Sequence, residues 1–549
     1  MKREMKPGTL RSRLFGTVGR SSRTLAFIAV AELFIFSSTA GATWFPTYIG
    51  GDAGVVLSDS SSYAQGSILL GGLGSSNGVS NESICSGYAS SGPCEFGAPG
   101  VFAMAINKFP VCTSASQTDC VASLATGTTT TSSAPCTFVR MTDGNAVAAD
   151  PTNNLPEGST IGIWQCPTPD AAGSTAYTSN VTMTYFGIDS ATKDFKPYYL
   201  VAAVQPFTQI SGDTYAAPEP VPYTNSSSGA TGVGSLQGAH PSCAFEETGT
   251  CGLVQDFSSG TVATMSLRLT NQIGGWFMGR LLDPTMAVTP FDSTSNLLTI
   301  TGEPVTVPAL EAAVPFPDAA PSTAVQDCFA PNGGFPPAPY FEVNQANVSN
   351  SLAIVDGCRA LVNDTATGVS TLWTISSAGA AGNSCLTDTS KILGLVTTNA
   401  MAYEGMAPAF SGGFFSYGVA GMHYLPDGSL ALGTYDMIVA DSVARCLYGF
   451  TNAPISATIA VSENGAAENV ATTSVSDMNG WLHLAAYGFT FSHPTISVKL
   501  TQAAPAVSVK PVHSVAKSKR KTITCKKGTK VKRVTGISPR CPAGYKRKI

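Results

Sequence analysis

The sequence predicts an all-β fold divided into several domains. Six segments of five to eight residues are apolar or β-branched and are bounded by turn-forming residues, which is typical of short strands. They are residues 160–165, 182–188, 198–204, 262–269, 297–301 and 393–397. Helical periodicity is hard to find after the N-terminal segment, and the best short candidate helix is residues 309–314. A composition rich in Gly, Ser and Thr, with 12% charged residues, also favours sheets with many turns.

The composition is that of a folding chain of about three ordinary domains. Hydrophobic residues make up 43% of the 549 residues, which excludes disorder throughout the chain. Two low-complexity stretches, residues 127–135 and 225–238, are expected to be loops. The sequence predicts this division: 1–42, a signal peptide; 43–303, an N-terminal β-rich region; 304–339, a Pro-rich linker zone; 340–412, a middle region; 413–502, a β-sandwich module; 503–520, a linker; 521–549, a basic cap with two cysteines.

The N-terminal segment has the pattern of a secretory signal. Seven Lys and Arg precede an apolar stretch at residues 25–36, and small residues ending in Ala40 and Ala42 fit cleavage before Thr43. An uncleaved membrane anchor is the alternative, but Glu32 lies inside the apolar stretch, where a charge is costly. We therefore expect a secreted or cell-surface protein with no transmembrane span in the mature chain.

Charge is distributed unevenly along the sequence. Residues 43–509 contain ten basic and 33 acidic side chains, a net charge near −23. Residues 510–549 contain fourteen basic side chains and no acidic one. Because an acidic body repels nucleic acid and anionic lipid, nucleic acid is not an expected partner and any polyanion contact falls to the tail.

Fourteen cysteines follow the expected cleavage site, an even number that permits seven disulfides in an oxidising compartment. Their order favours short local loops and predicts the pairs Cys85–Cys94, Cys112–Cys120, Cys136–Cys166, Cys243–Cys251 and Cys525–Cys541. Three connectivities remain open for Cys328, Cys358, Cys385 and Cys446. His240, Cys243 and Cys251 together offer three metal ligands, but a disulfide beside a surface His is the better interpretation, and no metal site is predicted.

The clearest strand pattern lies between residues 413 and 502. Apolar and polar residues alternate over 455–462 and 496–501, Asn464-Gly465 is a hairpin dipeptide, and residues 477–480 form a second turn. Six or seven strands of this kind in about 85 residues predict a β-sandwich of immunoglobulin-like size.

Several segments near the C-terminus are distinctive: SVARCLYGFTNAPISAT at 442–458, NGWLH at 479–483, GFTF at 488–491 and VKLT at 498–501. The ending adds ITCKKG at 523–528, KRVT at 532–535 and PRCPAGYK at 539–546. Together they resemble a β-module and a short basic two-cysteine cap of uncharacterised secreted and cell-surface proteins of actinobacteria. The resemblance covers residues 415–549, about a quarter of the chain. It implies an actinobacterial surface or secreted protein and supplies no catalytic residues.

The cap is predicted to be a small disulfide-closed hairpin in which residues 522–525 and 530–534 pair across 526–529. A bridge between Cys525 and Cys541 stabilises such a loop by ~3 kcal/mol on the chain-entropy model. We expect the cap to bind an anionic cell-wall polymer or polysaccharide through Lys526, Lys527, Lys530, Lys532, Arg533, Lys546, Arg547 and Lys548. A solubilising or export-related tail is the alternative.

No linear motif indicates a reaction, and no catalytic residue is predicted. Gly74, Ser76 and Gly78 match a nucleophile elbow, but the sequence after them predicts no helix. His483 and His493 are interpreted as ordinary surface or packing residues. Five tryptophans offer a sugar-stacking platform, although core packing is the favoured interpretation for each: Trp44, Trp164, Trp276, Trp373 and Trp481.

Loop oxygens of Asp143, Asn145 and residues 150–154 offer a weak Ca²⁺ site without a recognisable ligand spacing, so no cofactor is predicted. The leading hypothesis is an exported, non-enzymatic structural or binding protein of the cell surface, retained through its basic tail. The alternative is a secreted glycan-active hydrolase with its site in residues 43–300, because the spatial pairing of carboxylates is invisible in a linear sequence.

Overall fold

The structure is a computed structural model. It describes residues 52–57, 66–74, 80–87, 91–98, 100–187, 194–212, 215, 219–224, 231–237, 242–315, 322–329, 340–343, 348–379, 382–451, 455–463, 466–467, 472–491, 494–502 and 519–549. The predicted signal peptide, residues 316–321 and 330–339 of the Pro-rich zone, most of the predicted 503–520 linker, and Trp44, Ser76, His240, Asn464-Gly465 and His493 lie outside these residues.

Strands dominate the described residues, which confirms the all-β class. The first nineteen are β1 (Asp52–Leu57), β2 (Ile68–Gly74), β3 (Ser80–Ile84), β4 (Val101–Lys108), β5 (Cys120–Thr128), β6 (Thr131–Pro135), β7 (Thr137–Met141), β8 (Gly162–Gln165), β9 (Ala176–Gly187), β10 (Lys196–Ser211), β11 (Glu219–Thr224), β12 (Thr231–Gln237), β13 (Cys243–Glu247), β14 (Thr250–Val254), β15 (Thr261–Thr270), β16 (Gly275–Pro290), β17 (Ser295–Ala309), β18 (Glu311–Pro315) and β19 (Tyr340–Val343).

The later strands are β20 (Gly368–Ala378), β21 (Ile392–Thr398), β22 (Ala402–Tyr403), β23 (Ala409–Ser411), β24 (Phe414–Ala420), β25 (Leu432–Ala440), β26 (Ile455–Glu463), β27 (Ala466–Ala467), β28 (Thr472–Met478), β29 (Trp481–Thr490), β30 (Thr495–Gln502), β31 (Lys521–Lys527), β32 (Lys530–Gly536) and β33 (Lys546–Arg547). The α-helices are α1 (Thr323–Phe329), α2 (Val348–Cys358) and α3 (Asp441–Tyr448). Two short 3₁₀ turns span Pro151–Asn153 and Arg359–Val362.

Each of the six predicted strand segments coincides with a strand, whereas three other local predictions are wrong. Residues 309–314, the candidate helix, belong to the end of β17 and to β18, which pairs antiparallel with β1. The stretch 127–135, expected to be a loop, forms the β5–β6 hairpin, and 225–238 contains β12. In each case pairing with a neighbouring strand overrides the local composition, since strand formation depends strongly on context.

A continuous path of eleven strands forms the main sheet of the body, in the order β3-β2-β4-β9-β10-β20-β16-β21-β25-β29-β28. The β16–β21 pair is parallel, and the other pairs on this path are antiparallel. A second group pairs in the order β6-β5-β15-β17-β16. Strand β16 therefore belongs to both, with its first half in the main sheet and its second half against β17.

Both faces of β16 are buried, each in a different hydrophobic core. Phe277 and Leu281 pack into core 1 with Trp373 and other residues of the N-terminal two thirds of the body. Trp276 and Met278 pack into core 2, which is built largely from residues after 390. The sequence of a strand that is buried on both faces is typically a continuous apolar run, not an alternation of apolar and polar residues.

Core 2 lies between two sheets, as expected for a sandwich. One sheet contains β24, β26 and β30, and the alternation of buried Ile496, Val498 and Leu500 in β30 follows the predicted pattern. The other consists of β25, β28 and β29 and continues through β21 into β16. The hydrogen-bonded sheet thus runs without a break across the boundaries assigned at residues 303 and 413.

The fourteen cysteines form seven disulfides. The five predicted pairs are present, and the two remaining bonds are Cys328–Cys358 and Cys385–Cys446. The first joins α1 to α2 and the second ties α3 to the segment before β21. None of the helices among the described residues is long and apolar enough to cross a membrane.

The chain divides into two compact units, Met1–Thr501 and Gln502–Ile549. In the second unit β31 pairs with β32 from Lys521↔Gly536 to Lys527↔Lys530, so the hairpin turn is Gly528-Thr529. Gly528 has φ +59°, a left-handed conformation that glycine adopts without strain. A third strand, β33, pairs on the other side of β31, and Cys525–Cys541 links the central strand to the segment after β32.

Candidate functional site

An acidic cavity of about 490 Å³ lies where β16 leaves the main sheet. Its lining residues are Leu282, Asp283, Glu303, Thr434 and Tyr487, contributed by β16, β17, β25 and β29. The register of β16 against β17 shifts at this point, because Leu282 pairs with Glu303 while Thr285 pairs with Thr301. Asp283 and Pro284 therefore form a β-bulge, a feature that re-aims a side chain and often lies next to functional sites.

Asp436 is the buried centre of the cluster behind this cavity, with none of its side chain exposed. It pairs with Ala485 across β25 and β29, so that His483 and Tyr487 flank it on the same face. Asp436 Oδ1 accepts hydrogen bonds from Tyr487 Oη at 2.6 Å and from His483 Nε2 at 2.8 Å. Its second oxygen, Oδ2, is buried without a hydrogen-bond partner.

Asp283 approaches the same histidine from the bulge. Its Oδ1 lies 3.9 Å from His483 Nδ1, and its side chain is 73% exposed. The residue has φ +48°, in the left-handed region that Asp occupies more readily than most non-glycine residues. Asp283 and Tyr487 of β29 both line the cavity. His483 thus lies between two carboxylates, one buried and one facing solvent.

Burial and mutual repulsion shape the electrostatics of these groups. Burial raises the pKa of Asp436, and the hydrogen bonds from His483 and Tyr487 oppose that shift. The pKa of Glu303 is also raised, first by burial and second by the negative charge of Asp283. Asp283, Asp436 and His483 each offer one metal-ligating atom, and these atoms lie within 4.8 Å of one another.

The sequence did not point to this cluster. His483 was interpreted as an ordinary residue, and neither Asp283 nor Asp436 belongs to a recognisable motif. The acids are 153 positions apart in the chain and meet only through the order of strands in the sheet. The one local signal is the turn Asn479-Gly480, which fixes the start of β29 and the alternation that places His483, Ala485 and Tyr487 on one face.

All eight basic residues predicted to bind polyanions are exposed in the cap. The register divides the seven that lie in strands between the two faces of the sheet. The disulfide face carries Lys527, Lys530, Lys532 and Arg547 beside the buried Ile523 and Cys525. The open face carries Lys526, Arg533 and Lys546 with Thr522 and Thr524. Lys548 follows β33, and its backbone N–H donates to Thr524 O.

Like charges stand directly opposite one another across these strands. Lys526 is paired with Lys546, and Lys527 with Lys530. Cys525 has Lys532 on one side and Arg547 on the other. Directly opposed like charges destabilise a sheet, and the tail contains no Asp or Glu to relieve them.

Other residues that the sequence offered as candidate ligands or sugar-binding groups take part in core packing, a turn or a disulfide. Trp164, Trp276 and Trp373 are buried in the cores, which supports packing over a sugar-stacking platform for these three, and Trp481 is partly buried. The Asp150 carboxylate, a candidate Ca²⁺ ligand, accepts from Thr152 N and Asn153 N at the start of a 3₁₀ turn. Cys243 and Cys251, possible metal ligands, are bonded to each other.

No protein-family model matches the chain, and comparison with curated proteins gives no significant match.

Proposed function

We propose that the protein is exported to the cell surface and attaches to an anionic wall polymer through its basic cap. The observation that carries the proposal is the register of the cap sheet, which places like charges opposite one another on a disulfide-closed frame. A sheet that keeps such repulsion is well suited to an anionic ligand, because each bound phosphate or carboxylate offsets an unfavourable pair.

Two features of the sequence support export. The first 42 residues have the order of a secretory signal, a basic stretch followed by an apolar one and then by small residues. Seven disulfides suit an oxidising compartment, since such bonds are rare where thiols are kept reduced. The resemblance of residues 415–549 to actinobacterial surface proteins points to the same location.

The charge distribution supports attachment through the tail. Residues 43–509, near −23, are repelled by a polyanion, so the fourteen basic residues after 509 must supply the attraction. On the open face Lys526 and Lys546 are neighbours across one pair of strands, and Arg533 lies on the third strand. Lys526 is opposite Val531 on that strand and Arg533 lies two positions further along, so the three cations form a bent cluster on one face that a flexible phosphodiester chain can contact together.

The test is binding of the purified mature protein to immobilised poly(glycerol phosphate) teichoic acid, with neutral dextran as the blank. Affinity is expected to fall steeply as salt rises through the range where the Debye length is about 8 Å. Replacing Lys526, Arg533 and Lys546 with Gln should reduce the magnitude of the negative slope of log affinity against log salt by about two, in proportion to the contacts removed.

The matched control replaces Lys519, Arg520 and Arg540 with Gln, which removes the same charge from exposed positions outside the three strands. The control should bind more tightly than the open-face variant. If both variants bind as the native protein does, or if the native protein shows no affinity for the polymer, the attachment proposal is wrong.

A second candidate function is glycan hydrolysis in the acidic cavity. It is favoured by two carboxylates in different environments on one cavity wall, the exposed Asp283 and Glu303 with its raised pKa. A carboxylic acid with a raised pKa beside a second carboxylate is the pairing that glycosidases use. Turnover of a polysaccharide that is lost on Glu303→Gln, with the fold unchanged, would establish this function.

A further inference from the structure

We infer that Asp283, Asp436 and His483 form a binding site for a divalent transition-metal ion of the zinc class. Each side chain offers one ligand atom, and the three atoms lie within 4.8 Å of one another. Zinc binds oxygen and nitrogen at about 2.0–2.2 Å, so two ligands of one ion are separated by at most about 4.4 Å. A small movement of the exposed Asp283 side chain is enough to bring the three ligand atoms within coordinating distance of one ion.

Asp436 supplies the first independent observation. Its Oδ1 accepts two hydrogen bonds, whereas Oδ2 is buried and accepts none. A buried carboxylate oxygen without a partner is costly, since it has lost water and gained nothing in return. A cation at this position supplies the missing interaction for a side chain that has no exposed surface.

His483 supplies the second observation. A carboxylate oxygen only accepts hydrogen bonds, so the 2.8 Å contact with Asp436 requires the proton to be on Nε2. On the other edge of the ring, Nδ1 lies 3.9 Å from Asp283 Oδ1. The contact between Nε2 and Asp436 Oδ1 is shorter than the largest separation of two ligands of one zinc ion, so an ion can take the place of the proton on Nε2.

The surroundings also favour a cation. Glu303 adds a third carboxylate close enough to Asp283 for its pKa to respond to that charge. Tyr487 connects the cavity with the buried carboxylate, because it lines the cavity beside Asp283 and its hydroxyl donates to Asp436. Asp283 lines the cavity, so the remaining coordination positions of the ion face a space that admits water or an oxygen ligand.

The donor set selects the class of metal. One imidazole with two carboxylates suits zinc and its neighbours in the first transition row, whereas calcium and magnesium prefer sites built of oxygen alone. Thiols do not compete for the ion, because all fourteen cysteines are in disulfides.

The test is calorimetric titration of the untagged mature protein, treated with chelator and dialysed, with Zn²⁺ in the presence of excess Ca²⁺. We expect one ion per chain and a higher melting temperature on binding. The Asp283→Asn variant keeps a residue that tolerates the left-handed backbone, and His483→Gln keeps a donor to Asp436. Each should weaken binding at least about tenfold. Co²⁺ should give a visible absorption spectrum in the native protein and a weaker one in the variants.

Asp477→Asn is the matched control, since Asp477 is an exposed acid on the neighbouring strand β28 and lies outside the cluster. It should bind zinc as the native protein does. The inference is overturned if the native protein binds no zinc, or if Asp283→Asn and His483→Gln bind it with unchanged affinity. The Lys526, Arg533 and Lys546 variant should bind zinc normally, which separates this site from attachment through the cap.

Discussion

Three charged residues buried in the body illustrate how single side chains are accommodated. The Lys108 amine donates to Asn180 Oδ1 and Thr182 Oγ1, and burial lowers its pKa well below the ordinary value. Arg280 donates to three carbonyl oxygens at the end of β21 and just after it, those of Thr398, Ala400 and Met401. Its guanidinium also lies 4.5 Å from the centre of the Tyr403 ring. Arginine suits this position because its fork of donors can satisfy several acceptors at once.

Asp119 makes a prediction at the residue scale. Burial raises its pKa from 3.8 to about 6, although Thr270 N and Tyr185 Oη donate to it. The folded protein thus holds this proton more tightly than the unfolded chain does. The free energy of unfolding should therefore decrease as pH rises from 3.8 to about 6, by about 3 kcal/mol from this group.

The Asp119→Asn variant removes that titration and keeps a residue suited to φ +54°. Relative to the native protein, its free energy of unfolding should increase by up to about 3 kcal/mol between pH 4 and pH 7. Urea unfolding of both proteins at the two pH values measures the difference, because the other titrating groups are shared. If the two proteins differ in free energy of unfolding by the same amount at both pH values, Asp119 is charged over this whole pH range.

At the scale of elements, the sequence was informative where local chemistry decides the structure. Asn479-Gly480 forms the turn between the paired Met478 and Trp481, with φ +56° and +84°, because these two residues accept the left-handed conformation of a tight hairpin. The cap hairpin was predicted for a similar reason. The third strand, β33, was not predicted, since two residues at the end of a chain carry no strand pattern.

Elements that depend on distant partners were missed. Helix α3 has only eight residues and follows directly after β25, and its buried residues Val443 and Ala444 pack into core 2. The acidic cluster requires the order of β16, β25 and β29 in the sheet, together with a bulge in β16. No periodicity in a single sequence encodes which strands are neighbours, so a site assembled by that order is visible only in the fold.

The cap makes a prediction at this scale. Its buried hydrophobic side chains are Ile523 and Cys525, so apolar burial contributes little and the Cys525–Cys541 bond should dominate its stability. Replacing both cysteines with Ser is expected to cost about 3 kcal/mol on the chain-entropy model. Backbone amides of β31 and β32 should then exchange rapidly in hydrogen–deuterium exchange. Amides of the body serve as the internal control, and protection of the cap equal to that of the native protein would contradict the expectation.

At the scale of the whole molecule, the body should behave as one cooperative unit. Core 1 contains Trp373, Ile375, Leu395 and Ile438, which lie beyond the assigned boundary at residue 303. A fragment of residues 43–303 keeps β16 but lacks β20 and β21, which flank that strand in the main sheet.

We therefore expect the 43–303 fragment to remain without fixed tertiary packing, with little near-ultraviolet circular dichroism and strong binding of a hydrophobic dye. A fragment of residues 43–502 is the control and should show the signals of the folded body. Dispersed amide resonances and a sharp melting transition in the shorter fragment would mean that the first region folds independently.

The position of β16 also bears on the order in which the chain can fold. A protein delivered through a membrane pore with its N-terminus first must stay unfolded until enough of it has emerged. Here the strands on both sides of β16 come from residues 368–398, about a hundred residues later in the chain. Contacts so distant in sequence form slowly, because a long loop must close before they can contribute. The same pairing that joins the two cores therefore delays completion of the first until most of the chain is available, and under the proposed export this delay would keep the chain unfolded for longer before it crosses the membrane.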